Sequence, residues 1–389
     1  MKVCAVTTWP PHRDGVALYS AELYRHMSGL ADVSVVGNIA EWSSPGENQE
    51  DRGLSVLRTW RRGSLTYPFK VFRSVLDEGP SIVHLQHGWL LYGGPISSIL
   101  FPLLLVFLRV SRKKTVVTMH TVTSKKQPLY GNPLLDFAAR ILTLFISKSI
   151  IELSDKIVVH NDLMSENLRR MVALKEDSKV VVIPHGVRMA SGKPMVVEEE
   201  RRFRILSLGF LRKSKGIEHI IVAFEKFYRN YPDSELVIVG GQHAHDKNLS
   251  IEIFKNLLSS KASQHVFFTG FAEEKELDDL IWRSDVIVLH TAERNYVEAS
   301  GALGRFADYE KPLICSQVPK FQSELRDKEN CIMTLPCDSS EMAQALSMLA
   351  RSASLRKRLG RNLKERFKGR GWRRVAEDHS ELFKSLLSS

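Results

Sequence analysis

The strongest constraint on the fold is a repeated alternation of short apolar runs with longer amphipathic segments. In the first half of the chain the apolar runs have the length of buried strands; they are Val3–Thr7, Val33–Val36, Ile82–Leu85, Thr115–Met119, Lys156–Val159 and Val180–Ile183. Helical patterns lie between several of them, as at Tyr19–Met27 and Leu134–Leu153. Apolar strands that alternate with helices predict an open parallel sheet with helices on both faces.

The same alternation begins again after a linker near Gly186–Arg202. The second set of predicted strands comprises Phe203–Leu208, Ser234–Val239, Val266–Thr269, Val286–Leu289, Pro312–Cys315 and Cys331–Thr334. The predicted helices are Gly216–Asn230, Ser250–Ser260, Lys275–Trp282, Ser300–Ala307 and Glu341–Leu349. The sequence therefore predicts two doubly wound α/β domains, a class of fold that binds ligands at the carboxyl ends of its strands.

Length, charge and cysteine usage narrow the class of protein. A chain of 389 residues with 43% hydrophobic residues and a formal net charge of +11 has ordinary cores and suits an anionic partner. Basic residues are not interleaved with aromatic ones, so a nucleic-acid partner is not expected. The four cysteines form no C-x-x-C pair and the first residues do not read as a signal peptide, which together favour a reducing compartment and a cytoplasmic location.

The most lipid-like segment is "GGPISSILFPLLLVFLRVSRKK" at 93–114. Its continuous apolar part is shorter than the roughly 20 residues that a bilayer span needs. A buried helix is the preferred interpretation. The alternative is a helix that lies on the cytoplasmic face of a membrane, with its basic end toward anionic headgroups.

A series of motifs runs through the whole chain in a characteristic order. It begins with "PPHRDGVALYSAELYRHM", "IVHLQHGWLLYGG", "VVTMHTV", "SDKIVVHNDLMSENL" and "VVVIPHGV" and continues with "RFRILSLGFLRKSKGIEHIIVAF", "ELVIVGG", "VFFTGF" and "SDVIVLHTAE". Their order and spacing resemble those of the retaining glycosyltransferases of family 4, which have the GT-B fold. The "SGAL" sequence at 300–303 resembles a divergent branch of that family.

The resemblance implies two Rossmann-like domains that face a cleft, with a final helix that crosses back to the first domain. The implied domains are an acceptor-binding domain at 1–187, a donor-binding domain at 188–370 and the crossing helix at 371–389. The implied reaction transfers a sugar from a nucleotide-sugar donor to a hydroxyl acceptor, which is a sugar, a glycan or a lipid-linked glycan. The chain has no D-x-D triplet, and GT-B enzymes need no bound metal, so no metal or other cofactor is expected.

Three residues of the first half are candidate site residues. Gly15 lies in a strand-to-helix loop, where a glycine lets a ligand approach the backbone and a helix N-terminus favours anions. A plain turn explains it equally well from the residues alone, and the resemblance favours donor phosphate and acceptor. His120 matches the histidine that contacts the donor sugar in the family, and His87 is a candidate acceptor-binding residue; His160 and His185 are expected to satisfy local loops.

The segment "GFLRKSKG" at 209–216 follows a predicted strand and precedes a predicted helix. Lys215 and Arg212 are placed to reach a pyrophosphate, although two solvated charges on a loop would give the same pattern. Family members commonly have an arginine directly after the first glycine, where this chain has Phe210. We therefore expect Lys215 to contact the phosphate alone or with Arg212, and Lys213 as a second choice.

The segment that begins at Glu293 departs most from the family. Two glutamates separated by seven residues are expected there, and counting back from Pro312 places Val297 and Arg305 at their positions. Glu298 is one residue from the first position and is the candidate to replace it; Glu293 is further away. At the helix start, the hydroxyl of Ser300 and the amides of Gly301 and Ala302 are candidate pyrophosphate ligands.

Two other functions agree with the same sequence. The missing arginine and glutamates suit a catalytically inactive GT-B protein that binds a sugar nucleotide or a partner glycosyltransferase. An epimerase that acts on a UDP-sugar is the third interpretation.

Overall fold

The computed structural model describes residues 1–39, 48–123, 132–173, 179–192, 202–241, 261–292 and 296–388. They form two compact units. Unit 1 consists of Met1–Gly186, Asn295–Gly301 and Arg370–Ser389, and unit 2 consists of Val187–Arg294 and Ala302–Gly369.

Unit 1 is built on an eight-stranded sheet with the strand order β3-β4-β2-β1-β5-β6-β8-β9. The strands are β1 (Lys2–Thr7), β2 (Asp32–Asn38), β3 (Asn48–Asp51), β4 (Leu54–Trp60), β5 (Ile82–His87), β6 (Lys114–Met119), β8 (Lys156–Val159) and β9 (Val180–Val182). All neighbouring strands are parallel except the hairpin of β3 and β4. The central strand β5 is buried along its whole length, as expected for a parallel sheet that is covered on both faces.

Helices cover both faces of this sheet. They are α1 (Gly15–Met27), α2 (Tyr67–Glu78), α3 (Pro95–Ser98), α4 (Phe101–Val110), α5 (Pro133–Leu153), α6 (Asp162–Val172) and, from the end of the chain, α13 (Trp372–Ser388). Helices α2, α4, α5 and α6 contribute to one apolar core, and α1 and α13 contribute to the other. The return of α13 confirms the predicted crossing of the final helix. Trp372 is buried there, with its ring centroid 5.2 Å from that of Tyr19.

A two-stranded antiparallel ribbon adds to unit 1. It consists of β7 (Thr121–Thr123) and β14 (Tyr296–Glu298), two segments more than 170 residues apart in the sequence. Val297 lies opposite Val122 and both are buried in the apolar core, so Glu298 falls on the other face of the ribbon and lies opposite Thr121. Such short strands have too little pattern to be predicted from the sequence.

Unit 2 is built on a six-stranded parallel sheet with the order β12-β11-β10-β13-β15-β16. The strands are β10 (Phe203–Leu208), β11 (Ser234–Val239), β12 (Val266–Gly270), β13 (Val286–Leu289), β15 (Leu313–Ser316) and β16 (Ile332–Thr334). The helices are α7 (Ile217–Tyr228), α8 (Glu274–Arg283), α9 (Gly301–Phe306), α10 (Pro319–Gln322), α11 (Ser339–Arg351) and α12 (Ala353–Phe367). The predicted helix at Ser250–Ser260 lies outside the described residues.

One close backbone contact in unit 2 depends on a glycine inside a helix. A Cβ atom at Gly360 of α12 would lie 2.0 Å from the carbonyl oxygen of Glu310. Glu310 itself has a left-handed backbone with φ 55°, which is uncommon for a residue with a side chain. Gly360 therefore lets α12 lie directly against the turn that precedes β15.

The predicted fold class is confirmed: there are two α/β units, each with a parallel sheet, and every predicted strand is present. The hairpin of β3 and β4, the ribbon and helix α2 were not predicted. Strand β3, "NQED", is polar throughout, so its sequence lacks the apolar run that marks a buried strand.

Candidate functional site

The loop between β1 and α1 is held by Asp14. Its carboxylate caps α1 by accepting from the amide of Ala17 at 2.7 Å, accepts from the hydroxyl of Thr8 at 3.1 Å and lies 3.1 Å from Nε2 of His12. Burial by itself would raise the pKa of Asp14, but the hydrogen bond and charge of His12 outweigh it and lower the pKa. The start of α1 is therefore fixed beside a carboxylate that is ionised at neutral pH.

Gly15 is the first residue of α1, and nothing in the described structure requires a glycine there. A Cβ atom at this position would meet no atom within 4 Å, and the backbone is not left-handed. The open space leaves the helix start accessible to a ligand, which agrees with the predicted role without testing it.

This open space permits a clean test. Gly15→Ala is expected to leave the melting temperature nearly unchanged, because the new methyl group meets no neighbour. If a ligand approaches the backbone at Gly15, kcat/KM for sugar transfer falls roughly tenfold or more, since displacement of a ligand by about 1 Å is costly. Gly29→Ala, which also meets no atom within 4 Å, is the control. An unchanged kcat/KM in Gly15→Ala would remove Gly15 from the site.

His120 lies at the end of β6 in a cluster of aromatic rings. Its Nε2 is 2.8 Å from Oε1 of Gln86, and its Nδ1 is 3.2 Å from Nε2 of His160. The ring of Tyr19 lies edge-on to it, with centroids 4.7 Å apart, and Tyr19 also contacts His185. His160 and His185 thus belong to one cluster with His120, where the sequence predicted separate local roles.

A carbonyl oxygen at one end of this chain of hydrogen bonds determines which atoms donate and which accept. Nδ1 of His160 lies 3.1 Å from the carbonyl oxygen of Ile183 and must donate to it. Burial lowers the pKa of His160 to about 3, so its Nε2 accepts from Nδ1 of His120. Burial and the neighbouring imidazoles also lower the pKa of His120. A neutral His120 that donates through Nδ1 must accept through Nε2, which requires the Gln86 amide to be flipped, so that its N–H group and not Oε1 faces the ring. Both ring nitrogens of His120 then take part in hydrogen bonds, so a ligand at this residue would contact its ring carbons or its backbone.

The ribbon brings Glu298 next to His120. Glu298 lies opposite Thr121, the residue that follows His120. Two residues further on, Ser300 is buried, and a Cβ atom at Gly301 would lie 3.8 Å from Nε2 of His185. The strand pairing thus brings His120 near Glu298, Ser300 and Gly301, which are close to one another in the sequence and more than 170 residues from His120. Ala302 follows as the half-buried second residue of the six-residue helix α9, and Glu293 lies outside the described residues.

His87 has a different environment. Its side chain is buried, its ring centroid is 4.7 Å from that of Phe101, and burial lowers its pKa to about 4. Together with Thr143 it lines a cavity of about 10 Å³, which is about the room that one water molecule needs. Within the described residues, Nδ1 of His87 and the hydroxyl of Thr143 have no hydrogen-bond partner. The acceptor-binding role predicted for His87 stays a prediction.

In unit 2 the loop after β10 has an aromatic residue, Phe210, at the position where an arginine was expected. Phe210 packs against Phe271 in an edge-on pair, with centroids 5.7 Å apart. A Cβ atom at Gly241 would lie 1.8 Å from the Phe271 ring, and one at Gly240 would lie 1.8 Å from the carbonyl oxygen of Gly209. Position 210 therefore belongs to a packed aromatic contact at the carboxyl ends of β10 and β11.

The rest of this loop is fixed by the residues that follow β13. Nδ1 of His290 donates to the carbonyl oxygen of Lys215 at 2.8 Å, and its Nε2 accepts from the amide of Cys337 at 3.1 Å. The hydroxyl of Thr291 donates to the carbonyl oxygen of Ser214 at 3.1 Å. Burial lowers the pKa of His290 to about 4, which keeps the ring neutral, as its two bonds require. The sequence analysis missed this role, for which the only signal was the end of "VIVLHT".

The loop from Gly209 to Gly216, which His290 and Thr291 hold in place, has a local excess of positive charge. Arg212, Lys213 and Lys215 lie within four residues of one another, and the loop from Gly209 to Gly216 contains no acidic residue. Arg212 and Lys213 are exposed, whereas Lys215 is half-buried. A fixed cationic loop at the carboxyl end of a parallel strand can hold an anionic ligand such as a diphosphate.

Neither a metal-ligating cluster nor a membrane-spanning helix is present among the described residues. They contain no group of three or more histidine, cysteine, aspartate or glutamate side chains that could hold a metal ion. No described helix is both long enough and apolar enough to cross a bilayer.

Solved structures share the fold along the whole chain. Sucrose-phosphate synthase from Thermosynechococcus elongatus superposes with a TM-score of 0.76 at 17% identity and covers 100% of this chain and 99% of its own. HepE of Anabaena in complex with UDP and glucose has a TM-score of 0.73 at 12% identity, with 99% of this chain and 100% of its own covered.

The relatives found by sequence comparison match smaller shares of this chain than the solved structures do. Alpha-monoglucosyldiacylglycerol synthase of Acholeplasma laidlawii is 23% identical over 223 residues, which are 50% of this chain and 53% of that protein. The match thus spans about half the length of this relative. An uncharacterised glycosyltransferase of Methanocaldococcus jannaschii is 21% identical over 291 residues, which are 72% of this chain and 70% of that protein.

Two family descriptions match, one after the other, along the chain. Residues 13–191 match Glycosyltransferase Family 4, and residues 193–366 match Glycosyl transferases group 1. The two matches meet at the boundary between the halves predicted from the sequence and leave only the ends unmatched. With two parallel-sheet units of the GT-B type, the chain belongs to the family 4 glycosyltransferases.

Proposed function

We propose that this protein transfers a sugar from a nucleoside diphosphate sugar to a hydroxyl group, with retention of the anomeric configuration and without a bound metal. The observation that carries the proposal is the cationic loop at 209–216, which His290 and Thr291 hold at the carboxyl end of β10. The donor diphosphate binds Lys215 and Arg212, and the hydroxyl of Ser300 and the amides of Gly301 and Ala302 supply further hydrogen bonds. That HepE was solved with UDP and glucose supports a nucleotide-sugar donor.

In the proposed reaction the bond between the anomeric carbon and the diphosphate oxygen breaks, and its electron pair stays on the diphosphate. The acceptor oxygen forms the new bond on the same face of the sugar and gives its proton to the departing diphosphate. Lys215 and Arg212 bind the leaving group more tightly as its charge grows, which lowers the barrier. Glu298 and His120 contact the donor sugar, and Gly15 lets donor and acceptor approach the start of α1.

The acceptor that we propose is a lipid-linked hydroxyl compound. The curated relative that is named as a glucosyldiacylglycerol synthase supports a lipid, as does the positive charge of the chain. A soluble sugar acceptor is the alternative. Turnover with a glycolipid in mixed micelles, compared with turnover on free sugars, decides between them.

The proposal is tested with purified protein, a panel of UDP- and GDP-sugars and candidate acceptors. Product formation identifies the donor, and the anomeric coupling constant of the product reports retention or inversion. Addition of EDTA leaves turnover unchanged if no metal takes part. Release of nucleotide or interconversion of the sugar without an acceptor would instead support an epimerase.

Lys215→Ala is expected to lower kcat/KM at least about tenfold, because a hydrogen bond to a charged group contributes on the order of 1.5–3 kcal/mol. Lys226→Ala is the control: this exposed lysine of α7 lies ten residues beyond Gly216, which is about 15 Å along the helix. Equal kcat/KM values for the two variants would remove Lys215 from the reaction.

A second function is favoured by one observation. The family arginine position is filled by Phe210, which packs against Phe271, and this arrangement suits a protein that binds a sugar nucleotide without transferring the sugar. Thermal shift with UDP and GDP, measured beside turnover, separates the two functions. Stabilisation by nucleotide without product in the full acceptor panel would favour the binding protein.

A further inference from the structure

Over its first half, helix α5 exposes most of its large apolar residues and buries two polar ones. The buried positions there are Asp136, Ala139 and Thr143. The exposed positions include Leu134, Phe137 and Ile141, whose exposed fractions are 78%, 64% and 54%. They continue with Leu144 and Phe145, so five large apolar side chains recur at helical spacing on one outward stripe.

Helix α4 and the short helix before it extend this surface. Leu103, Val106 and Val110 of α4 are exposed at a spacing of three and four residues, and Ile96 and Ile99 precede them. Helices α4 and α5 belong to the same layer on one side of the sheet of unit 1, because both contribute buried residues to the same apolar core. Their outward stripes therefore face solvent on the same side. We call the exposed apolar residues of α4 and α5 the α4–α5 face; they are Leu103, Val106, Val110, Leu134, Phe137, Ile141, Leu144 and Phe145.

The size of this face is unusual for a surface that meets only water. The largest exposed apolar patch of a typical monomer is about 300–600 Å² and is often functional. The α4–α5 face has eight exposed side chains of leucine, isoleucine, valine and phenylalanine, with exposed fractions from 39% to 78%. Other exposed large hydrophobic residues include Phe69 and Leu76 of α2, and Val222 and Met348 of unit 2.

The charges that border the α4–α5 face are mostly positive, although Arg109 lies 3.7 Å from Asp155 and Glu152 is exposed near the end of α5. Arg140 and Lys148 are exposed on α5, and Arg109 and Arg112 are exposed at the end of α4. Helix α4 contains no acidic residue, and of the two in α5, Asp136 is buried and Glu152 lies in the last turn. An apolar stripe with a basic border is the pattern of helices that lie in the interface of an anionic membrane.

We propose that the α4–α5 face binds the surface of a lipid bilayer that contains anionic headgroups. The apolar side chains enter the boundary between headgroups and acyl chains, and the four cations contact lipid phosphates. Charge complementarity decides this occupant over a second copy of the chain, because two copies of the face would bring their cationic borders together. Membrane binding by this face needs neither donor nor acceptor, so the inference is independent of the proposed reaction.

The test uses flotation of the full-length protein with two kinds of vesicle. One is phosphatidylcholine alone, and the other contains equal parts of phosphatidylcholine and phosphatidylglycerol. We expect binding to the anionic vesicles that salt weakens but does not abolish, since the apolar side chains contribute a part that is not screened.

Two sets of variants assign the binding to this face. Phe137→Ser combined with Ile141→Ser is expected to lower the partition coefficient at least about tenfold, because each side chain withdraws apolar area from the bilayer. Arg140→Gln combined with Lys148→Gln is expected to reduce binding to anionic vesicles and its dependence on salt. The matched control, Val222→Ser with Met348→Ser, removes two exposed apolar side chains from unit 2 and should bind like the unaltered protein.

Three results would overturn the inference. One is the absence of binding to anionic vesicles by the folded protein, and another is an equal loss in the Phe137/Ile141 variant and its control. The third is a stable dimer in sedimentation without vesicles that Phe137→Ser with Ile141→Ser converts to monomer, which would assign the face to a second copy. Thermal shift with nucleotide checks that each variant is folded, and it also keeps the outcome separate from failure of the proposed reaction.

Discussion

Unit 1 is expected to lose at least about 4 kcal/mol of unfolding free energy when the pH falls from about 7.5 to about 5.5. Burial lowers the pKa values of His87 and His379 to about 4 and that of His160 to about 3, from an ordinary value of 6.5. Below pH 6.5 the unfolded chain takes up these protons and the folded chain does not. Each of the three histidines then costs about 1.4 kcal/mol per pH unit. The stability is fully present above this range and is lost as the pH falls.

Urea unfolding at the two pH values, followed by the fluorescence of Trp9 and Trp60, measures this loss. Both tryptophans are fully buried in unit 1. His379→Leu should reduce the pH-dependent loss by about 1.4 kcal/mol, because the contribution of one buried histidine is gone. His26→Gln, which removes an exposed histidine of α1, is the control. Equal unfolding free energies at the two pH values would contradict the expectation, and with it the neutral histidine chain that orients His120.

Gly360→Ala is expected to destabilise unit 2 by about 2–3 kcal/mol, although alanine is the better helix former. The new Cβ atom would lie 2.0 Å from the carbonyl oxygen of Glu310 and 2.5 Å from its carbonyl carbon. Both are backbone atoms, so neither can rotate away, and either α12 or the turn before β15 must move. The cost of that shift exceeds the roughly 1 kcal/mol that a helical glycine-to-alanine change contributes.

The fluorescence of Trp282, which is the one tryptophan in the sequence of unit 2, reports this change in urea unfolding. Gly29→Ala serves again as a control, because it adds a methyl group where no atom lies within 4 Å. An increase in stability on Gly360→Ala would show that α12 and the Glu310 turn separate at little cost.

The central strands were predictable because they are buried on both faces. β5, β11 and β13 have no exposed residue, so each contains a short apolar segment without alternation, and the order of these segments along the chain implies parallel sheets. The same local reasoning predicts Lys215 and Arg212 as site residues, since a basic residue in a loop after a strand is visible in the sequence. Phe210 stands where the arginine was expected and packs against Phe271, a contact between distant residues that no local pattern reveals.

The arrangement around His120 could not be predicted for a related reason. Glu298 is brought to Thr121 by three backbone pairs of a ribbon whose two strands are far apart in sequence. The ring of His120 is oriented by Gln86 and His160, and each of these residues has an unremarkable sequence context at a strand end. Such a cluster depends on strand order in the sheet, which periodicity alone does not determine.

The return of α13 to unit 1 has a consequence for how the chain folds during synthesis. The core beside α1 includes Trp372, Val375 and Phe383, which leave the ribosome only after all of unit 2. Until then the apolar residues on one face of the first sheet are not yet covered by α13. The ribbon likewise cannot form before residues 296–298 are synthesised. Domains usually complete their folding from the N-terminus onward during translation. In this protein the whole sequence of the second unit is synthesised before residues 372–386, which complete the core of the first.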